Sequence, residues 1–148
     1  MSSNAKTMVI GATGYNNYTG YVEVYHTIDD DGSWTQLGQT IYGDVTDDFF
    51  GESVDITVDG TTIICGSPGA GYVGDRPGYV RVFKVVSDSD VGIDTWVKIG
   101  QDITGETNSD MFGNSVSISE DGKKIVIGAP NFDGVNGEDS GIARIPFE

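Results

Sequence analysis

Apolar and polar residues alternate along several short stretches of the chain, which is the pattern of β-strands with one buried face. Val22 and Val24 alternate with polar or aromatic neighbours in one stretch, and Val54 and Ile56 share a face in another. Around Ile63 the apolar residues are consecutive, which predicts a strand buried on both faces of its sheet. No stretch combines apolar residues at helical spacing with a capping signal. The pattern therefore predicts an all-β fold.

Much of this pattern occurs twice, which indicates an internal repeat. The segment FGESVDITVDGTTIICGSP at residues 50–68 returns 62 residues later as FGNSVSISEDGKKIVIGAP at residues 112–130, with ten of nineteen positions identical. WTQLGQTIYG at residues 34–43 returns as WVKIGQDITG at residues 96–105. A truncated third copy of the repeat begins at residues 4–13. Each full repeat reads as four strands, denoted A to D in chain order.

The copies predict ten strands in a single repeat domain that spans residues 1–148. Residues 1–43 supply strands B, C and D, residues 44–105 supply all four, and residues 106–148 supply A, B and C. The chain therefore contains about 2.5 four-stranded units of a 62-residue repeat.

Strands A and B of each full hairpin are joined by an Asp-Gly pair, at Asp59-Gly60 and again at Asp121-Gly122. Asp-Gly between two strands is a strong hairpin signal, and it predicts a type I′ turn in which both residues have positive φ. The two aspartates are accordingly interpreted as turn residues.

Two other pairs of residues occupy equivalent places in successive copies. Trp34 and Trp96 begin strand D, and this repetition predicts that they pack between blades. Asp48 and Asp110, together with Asp47, stand just before strand A, where we expect the carboxylates to accept hydrogen bonds from a tight turn.

The composition of the chain restricts the kinds of molecule that it can bind. The chain has 23 acidic and 8 basic side chains and a net charge of −15, so its surface repels nucleic acid and attracts cations or basic partners. No apolar run reaches the roughly 18 residues of a membrane-spanning helix, so no transmembrane segment is expected. Cys65 is the only cysteine, and its apolar neighbours predict a buried, unreactive thiol.

The order of these motifs resembles the FG-GAP repeat of integrin-alpha-like β-propellers. The resemblance implies an all-β fold, a partial β-propeller of about 2.5 four-stranded antiparallel blades with a 62-residue repeat. Strand A opens with Phe-Gly and strand B closes with Gly-x-Pro in two copies, whereas the first copy has Thr13 in place of the proline. The resemblance implies protein–protein or adhesive recognition by loops, and it favours an extracellular or membrane-associated location, although the sequence itself leaves the location unknown. The residues that carry the resemblance are Phe50, Gly51, Pro68, Phe112, Gly113 and Pro130.

Members of this family often carry a calcium loop between strands A and B. Here that hairpin is too short to supply the six to eight oxygen ligands of calcium, so the usual metal site is absent. Calcium remains open as a ligand of the last B–C loop, where Asp133, Asn136 and Asp139 offer oxygen atoms. A solvated acidic turn is the simpler interpretation, and no other cofactor is expected.

Tyrosines in the glycine-rich loops between strands B and C are the best candidates for a contact surface. Tyr15 and Tyr18 lie in the first such loop and Tyr72 in the second, where aromatic rings are exposed unless a partner covers them. His26, the only histidine, has no partner residues in a catalytic pattern. The sequence therefore does not predict an enzyme.

The leading hypothesis is a non-enzymatic module of β-propeller type for protein–protein interaction, adhesion or scaffolding. Its first copy lacks strand A and its last lacks strand D, and open sheet edges invite pairing with another chain. A closed propeller needs about four to eight blades, so self-association or docking into a larger assembly would complete the edges. The alternative hypothesis is a lectin-like carbohydrate-binding domain, with or without calcium, that uses the loop tyrosines.

Overall fold

A computed structural model shows that the chain consists almost entirely of strands and loops. Among the described residues, eleven β-strands form three antiparallel sheets, and the one helical segment is a four-residue turn, α1 (Tyr15–Tyr18). The predicted all-β, antiparallel fold is confirmed. The residues described are 1–2, 5–28, 32–69, 77–88, 90, 92–133 and 141–144.

Sheet 1 is built around its second strand. This strand, β2, pairs with β1 on one side and with both β3 and β4 on the other. β3 and β4 are the two ends of the predicted strand D, which is interrupted near Gly38, a residue with φ +74°. This interruption explains why eleven strands occur where the sequence predicts ten. The strands are β1 (Thr7–Ala12), β2 (Tyr21–His26), β3 (Thr35–Gln36) and β4 (Ile41–Tyr42).

Sheets 2 and 3 follow in chain order. Sheet 2 has the strand order β5-β6-β7-β8, with β5 (Ser53–Ile56), β6 (Thr62–Ser67), β7 (Tyr79–Asp88) and β8 (Ile93–Thr104). Sheet 3 has the order β11-β10-β9, with β9 (Ser115–Ile118), β10 (Ile125–Ala129) and β11 (Ile142–Arg144).

The three sheets pack face to face through two hydrophobic cores, and sheet 2 contributes to both of them. Ile63 belongs to the core between sheets 1 and 2, whereas its neighbour Ile64 belongs to the core between sheets 2 and 3. Both side chains have no exposed surface. The prediction that this strand is buried on both faces is confirmed. Cys65 is also fully buried, and burial raises the pKa of its thiol.

The Phe-Gly pairs lie where successive sheets meet. Phe50 and Phe112 are almost completely buried. A Cβ atom on Gly11 of sheet 1 would lie 1.9 Å from the carbonyl oxygen of Gly51, and one on Gly66 of sheet 2 would lie 2.1 Å from that of Gly113. Backbone therefore touches backbone at both junctions, and no larger residue fits at the facing glycine.

The prediction of type I′ turns between strands A and B is wrong. Gly60 has a positive φ of +72°, but Asp59 is not among the residues with positive φ. The Gly60 N–H donates to the carbonyl of Thr57 over 2.9 Å, which closes a longer loop that needs only one left-handed residue. Asp59 stabilises this loop because its carboxylate accepts hydrogen bonds from the Thr57 hydroxyl and the Thr61 N–H. Gly122 has an equivalent φ of +73° in the second hairpin.

Candidate functional site

Aromatic side chains gather at one end of sheet 1. The Tyr15 ring lies 5.3 Å from that of Tyr21 and 5.6 Å from that of Tyr42, measured between centroids. Tyr18 stacks on Phe49 at 4.9 Å, with 18° between the ring planes. The rings therefore pack in two groups, Tyr15 with Tyr21 and Tyr42, and Tyr18 with Phe49. We call this group the aromatic platform; it comprises Tyr15, Tyr18, Tyr21, Tyr42 and Phe49.

The platform is open to solvent although its rings touch. Tyr15, Tyr18 and Tyr42 are 47%, 51% and 52% exposed. Val45, in the connector between sheets 1 and 2, is also 47% exposed. Aromatic rings that are ordered but uncovered are typical of protein contact surfaces, because their burial gains apolar area at little cost in side-chain entropy.

The backbone between Tyr15 and Tyr18, which carry two of these rings, is strained. Asn16, Asn17 and Tyr18 have φ values of 47°, 54° and 59°, which places all three in the left-handed region. Asparagine tolerates this region, but for Tyr18 it costs about 1 kcal/mol or more. The connector holds the loop in place: the Phe49 N–H donates to the Tyr18 carbonyl over 2.8 Å, and the Asp47 N–H donates to that of Asn17 over 3.1 Å.

Asp48, in the same connector, has a structural role. It is buried, and its carboxylate accepts hydrogen bonds from the Val45 N–H over 3.1 Å and from the Tyr79 hydroxyl over 3.0 Å. Burial raises the pKa of Tyr79, so its hydroxyl stays protonated and can donate. In the next connector, Asp110 accepts from the Thr107 N–H over 2.8 Å. The turn role predicted for both aspartates is confirmed.

Beneath the platform, a paired arginine joins the connector to sheet 2. Arg81 donates to both carboxylate oxygens of Asp102, over 3.0 and 2.8 Å, and also contacts Asp44 of the connector. Its guanidinium lies 4.5 Å from the centroid of the Tyr79 ring and 5.9 Å from that of Phe50. The Arg81 guanidinium lowers the pKa of Asp102, with a smaller contribution from a neighbouring lysine. Such a saturated ion cluster fits a structural role.

The structure brings together only some of the predicted site residues. Tyr15 and Tyr18 meet in the platform, whereas Tyr72, Asn136 and Asp139 lie outside the described residues. Asp133 is described and exposed, after β10. In the described part of the chain, no three His, Cys, Asp or Glu side chains group together in a way that could hold a metal ion.

The sequence interpretation missed three platform residues, Tyr21, Tyr42 and Phe49. A signal was available for Tyr42 and Phe49, because the second copy of the repeat has Thr104 in place of Tyr42 and Met111 in place of Phe49. Aromatic residues that occur in one copy and not in the other are not needed by the repeat architecture. Such a departure from the repeat could therefore have indicated a site.

The two equivalent tryptophans differ in packing. Trp96 is buried between sheets 1 and 2, and its indole N–H donates to the Leu37 carbonyl over 2.7 Å. The Gln39 side chain donates to the Trp96 carbonyl over 2.7 Å and accepts from the Trp96 N–H over 2.9 Å. Trp34 is 37% exposed. We call Leu37, Gly38 and Gln39 the tryptophan pocket; it lies in sheet 1 and receives a side chain of sheet 2.

Comparison with known proteins gives one family match. Residues 105–144 match the FG-GAP repeat, and this segment contains β9, β10 and β11. No curated protein matches the chain significantly. Within the described residues, no helix has the length and apolar character needed to cross a membrane.

Proposed function

Since residues 105–144 are an FG-GAP repeat, we propose that the three sheets are consecutive blades of a β-propeller and that the protein is a non-enzymatic interaction module. The packing of sheet 2 supports this arrangement, because an inner blade must bury both faces, as β6 does. The FG glycines support it too, since they make the same contact at both junctions.

The aromatic platform is the observation on which the interaction function depends. Tyr15, Tyr18 and Tyr42 are exposed, and each packs against another ring of the platform. The strained Tyr18 backbone is the kind of feature that accumulates at functional sites. We propose that the platform contacts a protein partner, in an adhesive or scaffolding role. The net charge of −15 favours a partner with basic residues around its contact surface.

Site-specific crosslinking tests this proposal. A photoreactive benzoylphenylalanine in place of Tyr18 is compared with the same group in place of Val86, which is 52% exposed on β7. We expect a protein adduct at position 18 and not at position 86 in extracts of cells that produce the protein. Excess wild-type protein should suppress the adduct, whereas the double variant Tyr15→Ala, Tyr42→Ala should not. Adducts that form equally at both positions would contradict the proposal.

A second copy of the chain is the first partner that we propose, because among the described residues β1 pairs only with β2 and β11 only with β10. Light scattering after size-exclusion chromatography tests this choice. We expect the apparent mass to rise with protein concentration. A folded protein that remains monomeric at all concentrations and salt levels would leave only a different protein as the partner.

Carbohydrate binding is the second candidate, because exposed tyrosine rings also stack on sugar rings. A glycan array measured with and without a chelator distinguishes the two functions. Sugar binding that disappears in Tyr18→Ala would favour the lectin-like function, and its loss in chelator would add calcium as a ligand. An array without Tyr18-dependent binding excludes this candidate.

A further inference from the structure

The first loop between strands B and C contains a tripeptide that a modifying enzyme can recognise. Asn17-Tyr18-Thr19 has the form Asn-x-Thr, and its middle residue is not proline. This is the acceptor sequence for transfer of an oligosaccharide to an asparagine side chain. No other asparagine of the chain has serine or threonine two positions later. The tripeptide is therefore the one place where the sequence fits this modification.

The repeat architecture does not require the tripeptide. In the second copy the corresponding loop, residues 69–77, contains no asparagine. The first loop, residues 14–19, contains two, Asn16 and Asn17. As with Tyr42 and Phe49 of the platform, a residue that occurs in one copy and not in the other is not needed for the packing of the sheets.

The structure places Asn17 where a bulky group can be attached without disturbing the fold. Asn17 is exposed. Its backbone carbonyl accepts the Asp47 N–H over 3.1 Å, but among the described residues its side-chain amide has no hydrogen-bond partner. A large, soluble oligosaccharide on this amide would therefore extend into solvent and break no contact of the described chain.

A short closed loop holds Asn17 at the surface. Asn16 and Asn17 have left-handed backbones, and the Gly20 N–H donates to the Tyr15 carbonyl over 3.2 Å. Surface loops of this kind are where attached oligosaccharides are found in folded proteins. The exposed rings of Tyr15 and Tyr18 lie on either side of Asn17 in the chain, so the first sugar has aromatic surface beside its point of attachment.

Thr19 supplies the hydroxyl of the tripeptide, but folding makes this hydroxyl inaccessible. Thr19 is buried, and its hydroxyl donates to the Asn16 carbonyl over 2.8 Å. The transferase recognises the tripeptide through its threonine as well as its asparagine. The transfer therefore has to take place before this loop closes, on the nascent chain.

We propose that Asn17 is an N-glycosylation site, modified while the chain crosses a membrane that contains an oligosaccharyltransferase. The donor is an oligosaccharide linked to a polyprenyl diphosphate. A bond forms between the Asn17 amide nitrogen and the anomeric carbon of the first sugar, and the bond from that carbon to the diphosphate oxygen breaks. The amide loses one proton, and the polyprenyl diphosphate leaves. This inference goes beyond the proposed function, because it concerns a covalent modification and not a partner.

Translation in the presence of microsomes tests the inference. The full chain is fused to a cleavable secretion leader, and only the chain that is protected from added protease, and has therefore crossed the membrane, is measured. We expect the mass of this protected chain to be increased by one oligosaccharide. An N-glycosidase that hydrolyses the bond to the asparagine should remove the increase and leave aspartate at position 17.

Variants of the loop identify the acceptor atom and the recognised hydroxyl. Asn17→Asp removes the amide nitrogen but tolerates the left-handed backbone, so the heavier form should disappear while circular dichroism shows a folded chain. Thr19→Ala should also abolish the heavier form, and Thr19→Ser should retain it. Asn16→Asp is the matched control, one residue earlier in the same loop, and should leave the modification unchanged.

Two outcomes would overturn the inference: a protected wild-type chain that carries no oligosaccharide, or a heavier form that persists in Asn17→Asp. The measurement involves no partner, so its failure would not affect the proposal for the platform. In the same way, failure of crosslinking at position 18 would not affect the modification of Asn17.

Discussion

The junction between sheets 1 and 2 and the junction between sheets 2 and 3 share one design and differ in one side chain. In both, an FG glycine meets a glycine of the preceding sheet, and a hairpin glycine approaches a threonine that begins a strand. Only the first junction contains a buried indole, that of Trp96. The second has a groove at the equivalent place.

This difference shows that the interface between neighbouring sheets has two separable parts. Strands A and B form the inner part through close contacts between glycine backbones, and these contacts are present at both junctions. Strand D makes the outer part through a tryptophan that crosses to the preceding sheet. At the second junction the described residues supply the inner part and leave a groove at the place of the outer part.

Removal of the indole from the first junction should have the largest effect. Trp96→Ala leaves a cavity in a closely packed core, so we expect the free energy of unfolding to fall by about 3–5 kcal/mol. Trp34→Ala is the matched control, and because Trp34 is 37% exposed it should cost less than about 1 kcal/mol. Urea denaturation measures both. Equal losses would mean that the two tryptophans pack alike.

The inner part of the interface is tested next with glycine substitutions. A Cβ on Gly66 would lie 2.1 Å from the backbone oxygen of Gly113, so Gly66→Ala should destabilise by about 1–3 kcal/mol through overpacking. The equivalent Gly128 meets only Ser115, whose hydroxyl can rotate away, so Gly128→Ala should cost less than about 1 kcal/mol. Thermal unfolding compares them, and a larger loss for Gly128→Ala would contradict the close contact at the junction.

Gln39 and Gln101 occupy equivalent positions of strand D, and their replacement should have a smaller effect on stability. Gln39→Ala removes two hydrogen bonds to the Trp96 backbone, which should cost about 1 kcal/mol because the site is partly exposed. Within the described residues, Gln101→Ala removes no hydrogen bond to a tryptophan, so it should change the free energy of unfolding by less than about 0.5 kcal/mol. Guanidinium denaturation resolves this difference. Equal losses of unfolding free energy would show that the Gln101 side chain makes contacts as stabilising as those of Gln39.

The smallest expected effect concerns pH. Arg81 lowers the pKa of Asp102, so the ionised carboxylate stabilises the fold above its unfolded-state pKa of about 4, and the contribution is lost as pH falls through the lowered value. Asp102→Asn should therefore flatten the decline in unfolding free energy between about pH 5 and pH 3. Urea denaturation across this range measures the slope, and an unchanged slope would show that the ion pair adds little at the first junction.

Some of the fold could be predicted because its causes are local. The alternation of apolar and polar residues, together with the repeat, predicts the strands. The apolar run around Ile63 predicts that β6 is buried on both faces. The type I′ turn was predicted incorrectly, since the Asp59 carboxylate stabilises a longer loop that the dipeptide alone does not reveal. The platform could be predicted only in part, because Tyr18 and Phe49 are far apart in the chain and stack through loop conformation.

The sequence by itself determined the repeat, the strand class and the equivalence of Trp34 with Trp96, because each follows from residue type and spacing. Only the tertiary structure decided that one of these tryptophans is buried and the other exposed. Burial depends on which sheet lies on the other side, and two copies of a motif carry no record of their neighbours. The aromatic platform and the groove have the same origin: each is formed where side chains from separate segments meet in space.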